Sequence, residues 1–453
     1  FLGRLNQEYG YPVSNFLYPA FMYLAEIPKI IGFGFVDSVK IILIFSLFGS
    51  AVFTFFWLKQ IFTPLPAFMG ALFYLYAPYH LWDVYKRGSV GEVLALAVVP
   101  FILWMVEKKN WFLYFCGIGL LILSHNTLAI LFLPIIVIYA LLKKLKTKYL
   151  MLNTILGFGL AAFFWLPAIY DLQYTKFSQT VVSNFQDYFV NVWLIGASTF
   201  LIFLLSVIVL TCSVDSDQQS KKSLIWGIVL LALISGFLAT SLSNPLWQYL
   251  PVSFIQFPFR LLSVTILCGA FLTAFVVERS GKFKTLVVLI LVVVIFLSAK
   301  SYLKPAVFFD KGEGFYATNE GTTTVQNEYM PKWVQEIPNA KSREKVETII
   351  GQPKIEIIEN NSRELVFNTS STSSSQIKIN TLYFPGWQIW VDKQEITIDY
   401  RNPEGLIKFN VKPGDHQIIV AFSETPVRLL ADGITIISFI IVIILVIKTK
   451  KKR

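Results

Sequence analysis

The chain has 453 residues, of which 55% are hydrophobic and 16% aromatic, while only 15% are charged. With a mean hydropathy of +0.61, this composition excludes a soluble enzyme, a disordered chain and a disulfide scaffold. The net charge is +11, but the cations cluster in short loops between apolar runs, which argues against a nucleic-acid-binding protein. The class predicted from composition is a polytopic membrane protein.

The first segment, residues 1–37, is predicted as an extracytoplasmic loop. Within it, residues 12–31 are apolar but carry Glu26 and Lys29 with Pro19 and Pro28, which favours an amphipathic helix lying in the membrane interface. A transmembrane bundle of about ten helices is predicted for 38–302, because a helix crosses the hydrocarbon with about 20 apolar residues. The predicted spans are 38–58, 65–79, 90–106, 111–125, 126–142, 150–170, 191–211, 223–241, 259–277 and 285–302, followed by 427–447.

The segment 303–426 is polar and shows apolar residues at every second position, as in 354–358, 376–379, 389–391, 407–411 and 417–420. Proline–glycine and asparagine–proline turns separate these runs, which predicts a small antiparallel β-domain of sandwich type. The serine-rich stretch 369–375 is predicted as a flexible hairpin tip or loop. Residues 427–453 are predicted as the last transmembrane helix and a basic cytoplasmic tail.

The distribution of cations predicts the orientation of the spans. One set of alternate loops, together with the C-terminal tail, carries most of the loop cations and is therefore assigned to the cytoplasm. These cations are Lys59, Lys108, Lys109, Lys143, Lys144, Lys146, Lys148, Lys221, Lys222, Arg279, Lys282, Lys284, Lys448, Lys450, Lys451, Lys452 and Arg453. Segments 1–37 and 303–426 then lie outside, so we expect at least one further transmembrane helix upstream of Phe1.

Ionisable side chains near a bilayer are functional candidates, because their burial is costly. The densest group lies in the external loop after the second span, with Glu92 at the start of the next helix. Its members are Tyr79, His80, Trp82, Asp83, Tyr85, Lys86 and Arg87. Cations and donors suit a phosphate-bearing headgroup, and aromatic faces suit a sugar. The alternative is a solvated loop with interfacial aromatic residues.

Two smaller groups carry similar alternatives. His125 and Asn126 lie at an external turn, either as donors at the mouth of a cavity or as a polar helix cap. Arg260 begins a helix, where the dipole favours an anion; the alternative is snorkelling to lipid headgroups.

Other polar residues are predicted to be without a functional role. Asp171 and Asp187 are predicted as solvated acids at span ends, and His416 as a surface histidine of the β-domain. The three cysteines show no metal-ligand spacing, and no P-loop or HExxH motif occurs, so neither ATP-driven transport nor a metalloprotease is supported.

Several of these stretches together resemble a family. Gly10-Tyr11-Pro12 and Tyr18-Pro19 resemble the first external loop of GT-C-type membrane glycosyltransferases. The chain is similar over nearly its whole length to the bacterial membrane proteins called 6-pyruvoyl-tetrahydropterin-synthase-related and to their YfhO-like relatives. The residues that carry this second resemblance are 77–88 with Glu92, Ser124-His125-Asn126, 255–260, 327–331, 383–387 and 413–416.

The resemblance implies a GT-C-like α-helical bundle in the bacterial cytoplasmic membrane. It implies an inverting glycosyltransferase that moves a sugar from a polyprenyl-phosphate carrier to an extracytoplasmic glycan or protein acceptor in cell-envelope assembly. In the family an acid of the first external loop is the base; that position lies upstream of Phe1, and Glu8 does not match it. The acids present here as candidates are Asp83 and Glu92.

The remaining site residues are assigned to substrate binding. Lys86, Arg87, His125 and Arg260 are the candidates for the phosphate, while Tyr79, Trp82 and Tyr85 would line the sugar site and His80 and Asn126 would contribute polar contacts. No cofactor is predicted, and no cluster of acids demands a divalent metal. The rival functions are a transporter or flippase for lipid-linked glycan, which would place charges in mid-helix, and a non-catalytic envelope assembly protein.

Overall fold

The computed structural model describes residues 1–179, 185–212, 219–249, 255–305, 307–309, 311–318, 321–322, 324 and 327–450. Helices are numbered α1–α17 in chain order. They are Ala20–Ile31, Phe35–Leu58, Pro64–Tyr76, Pro78–Trp82, Val90–Lys108, Trp111–Ser124, Asn126–Leu142, Thr147–Leu160, Ala162–Asp171, Val192–Ile195, Ala197–Cys212, Gln219–Leu238, Asn244–Trp247, Leu262–Arg279, Lys284–Ala299, Glu313–Thr318 and Pro426–Lys450.

The chain is a mostly helical membrane protein with a C-terminal antiparallel β region. Among the described residues, five helical segments are long and apolar enough to cross a bilayer, or six if α8 and α9 are counted as one broken span. The five segments are Phe35–Leu58, Val90–Lys108, Pro258–Arg279, Gly281–Tyr302 and Pro426–Leu445. The other predicted spans coincide with shorter apolar helices of 10–17 residues. The sequence therefore located the apolar helices, whereas several of them are shorter than a full span.

Two compact units divide the chain. The β unit comprises Phe1–Leu17, Ala162–Val181 and Gly314–Ile437, and the helical unit comprises Tyr18–Ala161, Val182–Glu313 and Ser438–Arg453. The predicted domain boundaries at residues 37, 302 and 426 rest on composition and hydropathy, whereas the two units are defined by contacts between residues. The predicted boundaries therefore stay predictions.

In the helical unit, α14 is almost wholly buried and packs against α3, α11 and α12. A helix that is apolar on every face is stable only where other helices surround it. Helix α2 packs along α5 and α3, and its first turn is capped from far along the chain, because the Glu313 carboxylate accepts hydrogen bonds from the backbone of Phe35 at 2.6 Å and of Val36 at 3.4 Å. These contacts satisfy two of the backbone donors that every helix start leaves open.

Helix α1 coincides with the predicted interfacial segment. Its exposed apolar side chains include Tyr23, Ile27, Ile30 and Ile31. An exposed apolar face of this kind suits lipid rather than water, although the interfacial position itself stays a prediction.

In the described part of the β unit there are eight strands in two antiparallel sheets. The strands β1–β8 are Val346–Ile350, Lys354–Asn360, Glu364–Ser371, Ser375–Leu382, Trp387–Val391, Gln394–Ile396, Leu406–Val411 and Gly414–Phe422. One sheet has the order β1-β4-β7 and the other β2-β3-β8-β5-β6. Alternate residues of both sheets share one core, for example Ile377 and Phe409 with Phe367 and Ile418, as expected for packed sheets with polar outer faces.

The serine-rich stretch 369–375 was predicted as a hairpin tip or loop, and only the loop alternative holds, over residues 372–374. Ser371 ends β3 and Ser375 begins β4, and these strands belong to different sheets, so the connection 372–374 crosses between sheets instead of forming a hairpin tip. Thr369 is buried within β3. Polar side chains obscured the period-2 pattern here, because Thr369 continues the inward row of Leu365 and Phe367 without being apolar.

Candidate functional site

Three separate segments of the helical unit meet at Glu92, in the first turn of α5. Glu92 is fully buried. Its Oε2 accepts a hydrogen bond from Arg87 Nη1 at 2.6 Å, and its Oε1 accepts from Arg87 Nη2 at 3.0 Å and from Arg260 Nε at 2.9 Å. A carboxylate held by two guanidinium groups forms charge-assisted hydrogen bonds with both of its oxygens occupied.

Two further side chains approach the same carboxylate. His125 Nε2 lies 3.4 Å from Oε1, and the Tyr79 hydroxyl donates to Oε2 at 3.3 Å. The ring of Tyr18 lies 4.7 Å from that of His125. Tyr18 and Ser124 can come this close to α5 because residue 91 is glycine: a Cβ at that position would lie 2.1 Å from the Tyr18 ring and 2.6 Å from the Ser124 carbonyl oxygen.

Asp83 begins a π-helical turn, Asp83–Arg87, that follows α4 and ends at Gly88 in the left-handed region, with φ of 61°. Short π-helical turns are rare in proteins overall, and many of those that occur lie at functional sites. Asp83 Oδ1 accepts a hydrogen bond from Arg87 Nη1, whereas its buried Oδ2 has no hydrogen-bond partner among the described residues. Asp83 therefore keeps one carboxylate oxygen available in a fully buried position.

Arg260 lies in the 3₁₀ turn Pro258–Leu261 that leads into α14. Besides Glu92, its Nη1 donates to Thr127 Oγ1 at 3.2 Å, to the Ile255 carbonyl at 3.0 Å and to Gln256 Oε1 at 3.0 Å. This set of acceptors holds the guanidinium in one orientation. The interpretation of Arg260 as a snorkelling residue is wrong, because the side chain is buried among protein acceptors.

Aromatic rings line the arginines. Arg87 lies over Phe259 at 4.5 Å and over Trp82 at 5.5 Å, and Arg260 lies over Phe257 at 4.7 Å. Phe257 and Phe259 stack with centroids 5.2 Å apart. Cations over aromatic faces gain electrostatic attraction, which increases when water is excluded.

The remaining candidate residues are sequence neighbours of this cluster. Lys86 and Asn126 are exposed and Tyr85 is half-buried. His80 is fully buried, and its Nδ1 lies 3.0 Å from the Tyr74 carbonyl oxygen, while its Nε2 has no partner in the described part of the chain. Within that part, no three histidine, cysteine, aspartate or glutamate side chains group as metal ligands do.

The cluster formed by Asp83, Glu92, Arg87 and Arg260 contains two acids and two bases. Opposite charges can offset one another in such a cluster, and this matters because an unpaired buried charge is strongly unfavourable. Arg87 is the most accessible of the four, with 19% of its side chain exposed. An incoming anion would therefore meet Arg87 first and would compete with Asp83 and Glu92 for its donors.

Sequence reasoning missed some partners of these groups. Thr127 and Gln256 bind Arg260, and Tyr18 covers His125. Gln256 carries one signal that only coordinates reveal, a positive φ of 61°, which is uncommon for a residue other than glycine.

One acid of the β unit was also misinterpreted. Asp171 is buried rather than solvated: its Oδ2 accepts hydrogen bonds from Arg428 Nη2 at 2.9 Å and from Asn15 Nδ2 at 3.3 Å. The partner arginine lies more than 250 positions away along the sequence, so no local pattern could have found it.

Residues 17–306 match the model of a family described as the 6-pyruvoyl-tetrahydropterin synthase related domain, a membrane protein family. This match includes every residue of the cluster around Glu92. No curated protein and no solved structure matches the chain. The chain thus belongs to the membrane protein family of the 6-pyruvoyl-tetrahydropterin synthase related domain.

Proposed function

We propose that the protein is a GT-C-type glycosyltransferase of the bacterial cytoplasmic membrane, with its β unit outside and its C-terminus in the cytoplasm. In this proposal it transfers a sugar from a polyprenyl-phosphate carrier to an extracytoplasmic glycan or protein acceptor. The observation that carries the proposal is the buried Asp83, whose Oδ2 has no hydrogen-bond partner among the described residues. Its other oxygen pairs with Arg87, and Arg87 and Arg260 share the carboxylate of Glu92.

Asp83 is the proposed general base. Its Oδ2 would take the proton of the acceptor hydroxyl while that hydroxyl oxygen attacks the anomeric carbon of the donor sugar. The bond between the anomeric carbon and the phosphate oxygen breaks, and its electron pair leaves with the polyprenyl phosphate. Because attack and departure occur on opposite faces, the configuration of the sugar inverts.

Arg87 and Arg260 are the proposed partners of the phosphate. As the phosphate leaves, negative charge develops on its oxygens, and positioned guanidinium groups stabilise that charge in a site without water. Lys86 and His125 would lie at the edge of this phosphate site. Glu92 is the better candidate for a positioning residue than for a base, because both of its oxygens are already occupied by the arginines.

The aromatic residues would surround the sugar. Trp82 and Tyr79 lie with ring centroids 6.1 Å apart, and Trp82 packs edge-on against Phe259 at 5.1 Å. Such rings offer apolar faces to a pyranose, while the hydroxyl of Tyr79 and the polar groups of His80, Tyr85 and Asn126 offer hydrogen bonds.

The experiment is transfer of radiolabelled glucose from undecaprenyl-phosphate glucose by the full chain in proteoliposomes, with a membrane-envelope glycan fraction as acceptor. Asp83→Asn keeps the size of the side chain and removes the base, so we expect transfer to fall by about 10² to 10⁴-fold. Asp187→Asn is the matched control, because Asp187 is an exposed acid and its variant should transfer sugar at the normal rate.

The rival functions give different results in the same vesicles. A flippase would move the intact labelled lipid between leaflets without cleaving the sugar–phosphate bond. An assembly protein would bind the lipid and do neither. If Asp83→Asn transfers sugar at the normal rate, Asp83 is not the general base.

A further inference from the structure

A cavity in the β unit is distinct from the cluster around Glu92. Its volume is about 490 Å³, which lies within the range of small-molecule sites. Residues from the first segment of the chain, from 342–345, from β2 and β3 and from the start of β5 line it. The side chains that matter for the argument are Arg4, Arg343, Asn360, Ser362, Thr381 and Trp387.

Trp387 provides the feature that points to a ligand. Only 7% of Trp387 is exposed, yet its Nε1–H has no acceptor among the described residues. A buried donor without a partner is costly, and native proteins rarely leave one unpaired unless a ligand or water completes it. The indole is held in place by edge-on contacts with Phe1 at 5.4 Å and with Phe422 at 5.3 Å.

The charges around the cavity balance. Arg4, Arg343 and Lys345 are opposed by Glu8, Glu344 and Glu364, and the Glu8 carboxylate accepts a hydrogen bond from Lys341 at 3.0 Å. Lys345 Nζ donates to the carbonyl oxygens of Asn380 at 2.9 Å and Glu8 at 3.3 Å, and burial lowers the pKa of Lys345 to about 8. A phosphate or a polyanion would need a surplus of cations, which this lining does not offer.

The polar groups instead suit hydroxyls. A sugar hydroxyl both donates and accepts, so its binding sites combine amides, hydroxyls and charged groups of both signs. Asn360, Ser362 and Thr381 provide these groups in the lining of the cavity. Trp387, which lines the same cavity, adds an aromatic ring and a donor that has no acceptor among the described residues.

We propose that this cavity binds a short segment of neutral glycan, through a hydrogen bond from Trp387 Nε1 and contacts with Asn360. The role of this glycan as the acceptor rests on the proposed function, whereas binding itself does not. The cavity is thus an acceptor-binding subsite carried by the β unit.

The test is titration of the full chain in lipid nanodiscs with cellobiose, lactose, maltose and diacetylchitobiose, followed by calorimetry and saturation-transfer NMR. We expect at least one of these disaccharides to bind. Trp387→Phe keeps an aromatic ring and removes the donor, and Asn360→Ala removes an exposed amide with no recorded hydrogen bond; each should weaken binding by at least about tenfold.

The matched control is Asn368→Ala. Asn368 is also exposed on the five-stranded sheet, but it lines a second cavity of about 460 Å³ that does not include Trp387 or Asn360. This variant should bind the disaccharide normally. Thermal unfolding of all three variants shows whether a loss of binding reflects a loss of folding.

Several outcomes would overturn the proposal. The first is that none of the four disaccharides binds. The second is that Trp387→Phe and Asn360→Ala bind as tightly as the wild type. The third is that the anionic probe digalacturonic acid binds more tightly than the neutral disaccharides. Asp83→Asn should still bind the disaccharide. If the wild type binds a disaccharide but transfers no sugar, the proposed glycosyltransferase function is contradicted. The proposal that the cavity binds glycan would still hold.

Discussion

At the scale of single residues, the buried carboxylate of Glu92 binds side chains from distant parts of the sequence. Arg87 and Arg260 are separated by more than 170 positions, yet both bind the same side chain. Removing one member of a buried ion pair leaves the other charge unpaired, which costs far more than the pair contributes in the intact protein. The effect of losing Glu92 should therefore appear in stability as well as in activity.

Glu92→Ala should lower the free energy of unfolding by about 3–5 kcal/mol, because the buried Arg260 and the largely buried Arg87 lose their shared carboxylate. Thermal unfolding of the purified protein in detergent measures this change. Glu26→Ala is the control: Glu26 is an exposed glutamate of α1, and its loss should leave the unfolding temperature unchanged. Equal unfolding temperatures for the two variants would show that the ion cluster does not stabilise the fold.

His416 illustrates the same physics at the surface of the β unit, where sequence reasoning predicted a surface histidine. His416 Nδ1 donates to Asp392 Oδ2 at 2.6 Å. This hydrogen bond raises the pKa of His416 and lowers the pKa of Asp392. The raised pKa of His416 stabilises the fold fully below the ordinary histidine pKa of about 6.5, and this stabilisation is lost as pH rises through the raised pKa. The lowered pKa of Asp392 has the opposite pH dependence, because its stabilisation is lost as pH falls through the lowered pKa.

Asp392→Asn should lower the pKa of His416 towards 6.5, as an NMR titration of the histidine ring protons would show. The chain has only three histidines, and His80 and His125 are buried, so His416→Gln assigns the signal. Asp399→Asn is the matched control on the same sheet region. An unchanged His416 titration in Asp392→Asn would contradict the pairing.

The members of the cluster around Glu92 were each singled out from the sequence, since Asp83, Arg87, Glu92, His125 and Arg260 are charged or polar residues beside apolar runs. Their mutual arrangement was not predictable. Both carboxylate oxygens of Glu92 accept hydrogen bonds, whereas Oδ2 of Asp83 has no partner among the described residues. This difference depends on how side chains from elements distant in sequence are placed.

At the scale of elements, the start of α5 depends on close packing. Gly91 lets Tyr18 and the backbone of Ser124 approach the helix. Glycine is unfavourable inside a helix relative to alanine, so its presence here is offset by the contacts that it permits. The consequence is that α5 presents Glu92 directly to the turn before α7.

Gly91→Ala should destabilise the protein by about 1–3 kcal/mol, because the added methyl group overlaps the Tyr18 ring and the Ser124 carbonyl. Gly227→Ala provides the matched control within α12, where no atom lies within 4 Å of an added Cβ. That control should leave stability unchanged or raise it by up to about 1 kcal/mol through helix propensity. Denaturation of both variants in the same detergent compares them, and a stable Gly91→Ala would refute the close packing.

The β strands were only partly foreseen. The alternating runs led to β2, β4, β5, β7 and β8, but β1, β3 and β6 were missed. Strand β3 carries polar residues on its inner row, and β6 has three residues, too few to show a period. Their places are decided by pairing partners, since β3 lies between β2 and β8.

At the scale of the whole molecule, the sidedness of the chain is argued from charge. The cations of 143–148 and of the C-terminal tail lie on one predicted side, and the polar segment 303–426 on the other. The proposed chemistry needs this arrangement, because the acceptor is extracytoplasmic.

Cysteine labelling of intact cells tests the orientation. In a background in which Cys116, Cys212 and Cys268 are replaced, Ser373→Cys should react with a membrane-impermeant maleimide, and Lys144→Cys should react only after the cells are permeabilised. Permeabilised cells are the control for accessibility of both sites. Reaction of both cysteines in intact cells would place the two segments on one side and remove the basis of the proposed function.

The sequence by itself determined that the chain is a membrane protein, where its apolar helices lie, that an antiparallel β region follows them, and which polar residues stand at helix ends. These properties depend on local composition and on periods of two or about four residues, which a single chain displays directly. Only the tertiary structure decided that Glu92 pairs with Arg87, Arg260 and His125, and that Asp171 is buried against Arg428. It also decided that one oxygen of Asp83 has no partner within the described residues. Such pairings join residues far apart in sequence, and their energies come from burial and distance, which exist only after the chain has folded.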